Sequence, residues 1–383
     1  MIVSSMRIPF NKPFLTGKET TYITEAVSSG KISGNGAFTQ KCQEFFQKKY
    51  DFKKCLLTTS CTDALEMAAL LLNIQDGDEV IMPSYTFVST ANPFVLRGAK
   101  IVFADSMQSN PNIDAEKIEA IITPKTKAIV VVHYAGIACD MDKIMDLANR
   151  YHLFVVEDAA QAIHSFYTGR DGIKKPLGSI GHLAAFSFHE TKNIIAGEGG
   201  MLVINDEQFI QRSEIIWEKG TNRSAFFRGE IDKYGWVDVG SSFLPSEIVA
   251  AFLFAQLEQL DEIQGKRINL WNLYYELLKP VQHAGLIRLP EVPEYASNNA
   301  HIFYILFPDV EKRNDCIQLL KENEILSVFH YLSLHKSPFF QLRHDGRELG
   351  EADKYSEVLL RLPMYYELDD DSVVQICELI KNG

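Results

Sequence analysis

Two residues of this chain combine type and context for amine chemistry. Lys192 stands five residues after Ser187 in the run Phe186-Ser187-Phe188-His189-Glu190-Thr191-Lys192-Asn193, and Asp158 closes the apolar run Phe154-Val155-Val156-Glu157. A carboxylate at the mouth of a dry strand needs a cationic partner, and a protonated pyridine nitrogen is such a partner. A lysine in a dry pocket loses its proton readily and becomes a nucleophile. Together they are the parts that pyridoxal 5'-phosphate requires: Lys192 to hold the cofactor through its amine and to shuttle protons, Asp158 to keep the ring an electron sink.

The phosphate needs donors. Ser60, Cys61 and Thr62 lie between a strand and an apolar helix, where first-turn N–H groups and hydroxyls can hold a dianion, although Ser and Thr also cap helices there for purely structural reasons. Ser187 adds a hydroxyl near Lys192. Phe87, after the Tyr85-Thr86 turn, offers an aromatic face for a ring, or a core side chain. Gly197, Gly199 and Gly200 let the backbone turn tightly beyond Lys192.

These residues need a scaffold. Short apolar runs (Glu79-Val80-Ile81-Met82, Ile101-Val102-Phe103-Ala104, Ala128-Ile129-Val130-Val131-Val132, Leu153-Phe154-Val155-Val156 and Leu183-Ala184-Ala185-Phe186) alternate with helical patterns at 62–72, 89–97 and 140–150. That is the layout of an α/β domain with a mainly parallel sheet covered on both faces, which binds ligands at the carboxyl ends of its strands. A helical pattern over 246–273 reads as one long connector into a small α+β carboxy-terminal unit, so the division is 1–257 for the large domain with the amino-terminal segment and 258–383 for the small one.

Composition narrows the function. A net charge of −12 over 383 residues argues against a nucleic-acid or anionic-membrane surface. Six scattered cysteines without C-x-x-C spacing argue against a disulfide framework or a zinc site. Residues 1–9 carry no apolar leader and no stretch is long enough to span a bilayer, so a cytoplasmic protein is expected. No G-x-G-x-x-G follows the first strand, which removes a nicotinamide-dependent enzyme.

The order Ser60-Cys61-Thr62, Thr86-Phe87, Val156-Glu157-Asp158-Ala159-Ala160-Gln161 and Ser187-Phe188-His189-Glu190-Thr191-Lys192 resembles the DegT/DnrJ/EryC1/StrS nucleotide-sugar aminotransferases, fold-type I pyridoxal phosphate enzymes. The segments Asn35-Gly36 with Phe38-Thr39, 83–92, Lys219-Gly220-Thr221-Asn222-Arg223 and Val237-Asp238-Val239-Gly240-Ser241-Ser242 look most like members that make dTDP-4-amino-4,6-dideoxygalactose. The resemblance implies that Gln161 meets the ring 3'-oxygen, that Phe87 stacks on the ring, and that Ser187 with Cys61 and Thr62 holds the phosphate. Ser242 stands where many members carry an asparagine that reaches the phosphate across a subunit interface, leaving only a hydroxyl to donate. His189, Asn193, and His330 and Tyr331 of His330-Tyr331-Leu332-Ser333-Leu334-His335 become the substrate-side candidates.

The implied reaction moves the amino group of L-glutamate to C4 of dTDP-4-keto-6-deoxyglucose in a homodimer with shared sites, or in a larger assembly. Alternatives are another acceptor (a 3-keto or UDP-linked sugar) and a non-catalytic sugar-nucleotide binder. Dehydratases of the family carry histidine in place of the lysine, so Lys192 speaks for amine transfer.

Overall fold

The computed structural model describes residues 7–383; most of the stretch 1–9 lies outside them. The strands, in chain order, are β1 (Lys54–Thr58), β2 (Glu79–Pro83), β3 (Lys100–Ala104), β4 (Thr126–Val132), β5 (Phe154–Asp158), β6 (Phe166–Thr168), β7 (Lys174–Pro176), β8 (Leu183–Ser187), β9 (Gly200–Ile204), β10 (Phe303–Leu306) and β11 (Leu359–Leu362). Seven of them form one sheet in the order β1-β9-β8-β5-β4-β2-β3. β9 runs against both neighbours, and the other pairs, β2 with β3 and β4, β4 with β5, β5 with β8, are parallel. The expected α/β fold with a mainly parallel sheet is present. The glycine-led run 200–204, not read as a strand from sequence, supplies the antiparallel member.

Side chains alternate across this sheet as a two-residue period dictates. Leu57, Ile81, Ile129, Val131, Val155 and Met201 face one buried layer, packed on the helices Ala37–Tyr50, Met141–Tyr151 and Glu247–Glu258. Leu56, Val80, Met82, Val130, Val156 and Leu202 face the other, packed on the helix Cys61–Leu71. With both faces covered, the strands show hydrophobic runs and leave their polar residues at the ends.

The helical pattern over 246–273 is not one connector. It breaks at Gln259 between the helices Glu247–Glu258 and Leu260–His283, because Gln259 leaves the helical region at φ −105°, ψ 10°. The second helix feeds a separate core in which Leu270, Tyr274, Phe303, Ile305, Leu320, Ile376 and Cys377 surround the antiparallel pair β10 and β11. Ile8 joins this core through a parallel bridge to Ile325, so the amino-terminal segment lies against the small unit.

One buried asparagine rivets the two units. Asn299 donates to the carbonyls of Gln161 and Ile163, both at 2.8 Å, and its side-chain oxygen accepts from the His301 N–H at 3.0 Å. Gly136 makes room for it: a Cβ there would sit 1.9 Å from Asn299 Oδ1. No helix among the described residues is long and apolar enough to cross a membrane.

Candidate active site

The carboxyl ends of β1, β2, β5 and β8 and the amino end of β9 converge on one edge of the sheet, where the small unit closes a cavity of about 480 Å³. Ser60, Cys61, Thr62, Phe87, Asp158, Ser187, His189, Lys192, His330 and Tyr331 all line it. Residues from Ser60 to Tyr331 therefore meet because parallel strands end together and the small unit packs over their ends.

Asp158 ends β5, is buried, and is pinned at both oxygens: Thr90 Oγ1 donates to Oδ2 at 2.7 Å and the Ala160 N–H to Oδ1 at 3.1 Å. Burial raises its pKa above the usual carboxylate value in spite of these bonds and of the nearby Lys192 charge. The carboxylate is thus oriented but lacks a full counter-charge, the condition in which it would take a cationic ring nitrogen. Burial likewise lowers the pKa of Lys192, with Arg361 adding to the effect and Asp158 opposing it.

Lys192 rides on a loop clamped by its own backbone. Phe188 N–H donates to Gly199 O at 2.8 Å, Glu190 N–H to Gly197 O at 2.9 Å, Ala196 N–H to Phe188 O at 2.7 Å and Lys192 N–H to His189 O at 2.9 Å. Ser187 and Gly200, at its two ends, are direct partners across β8 and β9.

Ser60 is the N-cap of Cys61–Leu71: its Oγ accepts from the Asp63 N–H at 3.1 Å. Capping leaves its hydroxyl proton available and leaves the Cys61 and Thr62 N–H groups without helical acceptors, in residues that line the cavity. Thr62 Oγ1 donates to Ser89 Oγ at 2.9 Å, and Ser187 completes the ring of hydroxyls. Gly200 is required here, since a Cβ would come within 2.3 Å of the Ser60 carbonyl. Phe87 is 55% exposed and stands in the cavity wall 6.1 Å from the Tyr331 ring, so it is not a core residue.

Two sequence-based assignments change. Asn193 turns away from the cavity: its amide donates to Gln264 Oε1 (2.8 Å) and Asn299 O (2.9 Å), and its oxygen meets His301 Nδ1 at 2.8 Å. It positions His301, which does line the cavity. Gln161 stands behind the wall, accepting from the Ala135 N–H at 2.7 Å and donating to Tyr331 Oη at 3.0 Å. Ser242, expected to reach the phosphate across a subunit interface, is exposed, bridged to Glu218, and outside its own chain's cavity. In the Asn35-Gly36 and Phe38-Thr39 segment, Glu247 accepts from the Gly36, Phe38 and Thr39 N–H groups and caps the helix Ala37–Tyr50.

Sequence reasoning missed Thr90, His301 and Arg361. Arg361 carried a signal, since an arginine inside the buried run Leu359-Leu360-Arg361-Leu362 is unusual. His330 stacks on Tyr331 with ring centroids 3.6 Å apart and meets Tyr134 Oη at 2.6 Å. Burial keeps the pKa values of His301 and His330 well below the usual histidine value, so both imidazoles are neutral at pH 7.

Residues 13–381 match the sequence model of the DegT/DnrJ/EryC1/StrS aminotransferase family. The chain belongs to this family. It is 34% identical to the spore coat polysaccharide biosynthesis protein SpsC of Bacillus subtilis, over 98% of this chain and 96% of that one. It is 31% identical to GDP-perosamine synthase of Escherichia coli O157:H7, over 97% of each. The PMP form of the putative sugar aminotransferase Spr1654 from Streptococcus pneumoniae superposes with a TM-score of 0.89 at 26% identity, over 98% of both chains.

The enzyme is thus a pyridoxal phosphate-dependent sugar aminotransferase of fold type I. The donor set fits the cofactor: Cys61 and Thr62 N–H with the Ser60 and Ser187 hydroxyls for its phosphate, Phe87 for a ring face, Asp158 for its nitrogen and Lys192 for its carbonyl carbon. Bound there, it supplies the electron sink that a substrate carbanion needs. Lys192 Nζ would then take and return the proton, in a cavity that Tyr331 and His330 also line. Phe87→Ala should leave the melting temperature nearly unchanged, because the ring is exposed, and weaken cofactor affinity about tenfold, roughly 1.4 kcal/mol. A cofactor titration followed by absorbance measures it; unchanged affinity would remove Phe87 from the ring's wall.

Proposed function

We propose that this aminotransferase takes the amino group of L-glutamate, releases 2-oxoglutarate, and delivers the amine to C4 of dTDP-4-keto-6-deoxyglucose, giving dTDP-4-amino-4,6-dideoxygalactose. The observation that carries amine transfer is the single cavity in which Lys192, with its lowered pKa, faces the pinned Asp158 carboxylate. Ping-pong order follows from that arrangement, because donor and acceptor must each bring a carbon to the same Nζ. Support for the C4 ketone and the dTDP carrier comes from the segments at 83–92, 219–223 and 237–242. The relative named GDP-perosamine synthase favours, as a second reading, a guanosine-linked acceptor.

A homodimer with shared sites is part of the proposal. Ser242 lies outside its own cavity, and it follows a loop that leaves Phe227 69% and Trp236 85% exposed, apolar surface of the kind that subunits cover. The reaction is tested by NMR of the product from glutamate with dTDP-4-keto-6-deoxyglucose, alongside GDP-, UDP- and 3-keto-linked acceptors. An axial C4 amine from the dTDP sugar is expected. Turnover of only the GDP- or UDP-linked sugar would overturn the acceptor assignment.

A further inference from the structure

His301 is held by hydrogen bonds at every polar atom but one. It precedes β10, is 5% exposed and lines the cavity. Its N–H donates to Asn299 Oδ1 at 3.0 Å, its carbonyl accepts from Arg267 Nη2 at 2.6 Å, and its Nδ1 meets Asn193 Oδ1 at 2.8 Å. None of these three partners lines the cavity, and no described residue bonds to the remaining ring nitrogen, Nε2.

The Asn193 contact fixes which nitrogen carries the proton. Asn193 points its amide nitrogen at Gln264 Oε1 and Asn299 O, so its oxygen faces His301, and an amide oxygen only accepts. Nδ1 is therefore the N–H. Burial keeps the ring from taking a second proton, and the charges of Lys192, Arg267 and Arg361 act the same way. Nε2 is left with a lone pair and no donor to pair with it. His330, which lines the same cavity, has no such constraint, because its partner Tyr134 Oη can donate or accept.

A buried acceptor without a donor selects the ligand atom that meets it, since leaving it unpaired is costly. We infer that His301 Nε2 accepts a hydrogen bond from the hydroxyl on the carbon next to the acceptor's carbonyl, C3 of a 4-keto sugar, and so makes that hydroxyl a requirement of the second half-reaction. The inference rests on the proposed keto-sugar acceptor. Of the charges that act on His301, that of Lys192 is the largest, so the imidazole stands close to the amine that works on the reacting carbon. The atoms flanking that carbon separate the two substrates. In glutamate they are a carboxylate, which only accepts, and a methylene. In a 4-keto-6-deoxy sugar they are C5, which carries a methyl group and the ring oxygen, and C3, whose hydroxyl can donate. Only the sugar offers His301 a hydrogen there.

The test compares two acceptors in enzyme loaded with pyridoxamine phosphate, which starts the second half-reaction directly. They are dTDP-4-keto-6-deoxyglucose and its 3-deoxy analogue, with the rate read from the cofactor absorbance. Wild type should favour the 3-hydroxy sugar by about tenfold in second-order rate constant. Asparagine places an amide nitrogen where Nδ1 stood and nothing at Nε2, so His301→Asn keeps a donor for Asn193 and removes the acceptor. It should lose about tenfold on the 3-hydroxy sugar and change less than about threefold on the 3-deoxy analogue and on the separate half-reaction with L-glutamate. Equal losses on both sugars, or a slowed glutamate half, would mean that His301 serves Lys192 or the fold and would overturn the assignment. So would a wild type that does not discriminate between the two sugars, a result that needs no variant. Should neither dTDP sugar react, the acceptor proposal fails by itself. The same comparison is then made on the GDP- or UDP-linked keto sugar that does react and its analogue lacking the hydroxyl beside the carbonyl, and the same outcomes decide.

Discussion

Lys192→Ala is expected to reduce turnover with glutamate and the keto-sugar by on the order of 10⁴-fold or more, the full range over which a positioned acid–base group acts, because the same Nζ must hold the cofactor and move the proton. The loss should be one of chemistry and not of folding. The loop is closed by four backbone bonds, and the Lys192 side chain itself makes no hydrogen bond among the described residues. A folded pKa lowered by burial means that the ammonium is disfavoured in the fold relative to the unfolded chain. That penalty is present at every pH below the unfolded lysine value, so the cofactor-free variant should melt slightly higher than the cofactor-free wild type at pH 7. Steady-state product assays and melting curves check the two halves separately. Retained turnover would mean that another group carries the proton.

Asp158→Asn sets function and stability against each other more sharply. Kinetically, kcat should fall roughly 10²- to 10³-fold, the usual loss when one fixed electrostatic partner of the reacting group is removed. The amide can still accept the Thr90 and Ala160 bonds in part, but it cannot keep a ring nitrogen protonated. Thermodynamically the sign is the reverse. Because burial raises the folded pKa of Asp158, the ionised form costs stability above that pKa, and the cost is relieved as pH falls through it. Cofactor-free Asp158→Asn should therefore melt above cofactor-free wild type at pH 7, and the gap should narrow as the pH is lowered. Cofactor affinity of the wild type should run the other way, weakening as Asp158 takes up a proton. A variant less stable than wild type at pH 7 would show that Asp158 holds the fold together instead of being held by it.

What was legible in the sequence follows from how each residue enters the cavity. Asp158, Ser187 and the 60–62 turn were readable because each stands at the end of a buried strand, where an apolar run stops at a polar residue. Phe87 and Lys192 follow such ends by a few positions. Arg361 and His301 come from the small unit, and Thr90 comes from a helix; local patterns do not say which strand ends those elements face. Asn193 was misplaced for the opposite reason. It adjoins Lys192 in sequence, but neighbours in a tight loop point to opposite sides, and the side opposite the cavity holds Gln264 and Asn299. The break at Gln259 was invisible because neither glycine nor proline marks it, and both flanking segments are good helix formers. The strand β9 was hidden by the glycines that let it approach Ser60.

The rivet at Asn299 bears on how the enzyme is fed. Swinging the small unit outward would strip this residue from the Gln161 and Ile163 carbonyls at once, each left bare at a cost of about 1–3 kcal/mol. The cavity is thus a room whose walls are pinned in place, and in the order proposed above the amino acid and the nucleotide sugar use it by turns. Each visitor has to leave before the next arrives, so an excess of either one occupies the room at the wrong time and slows the traffic of the other.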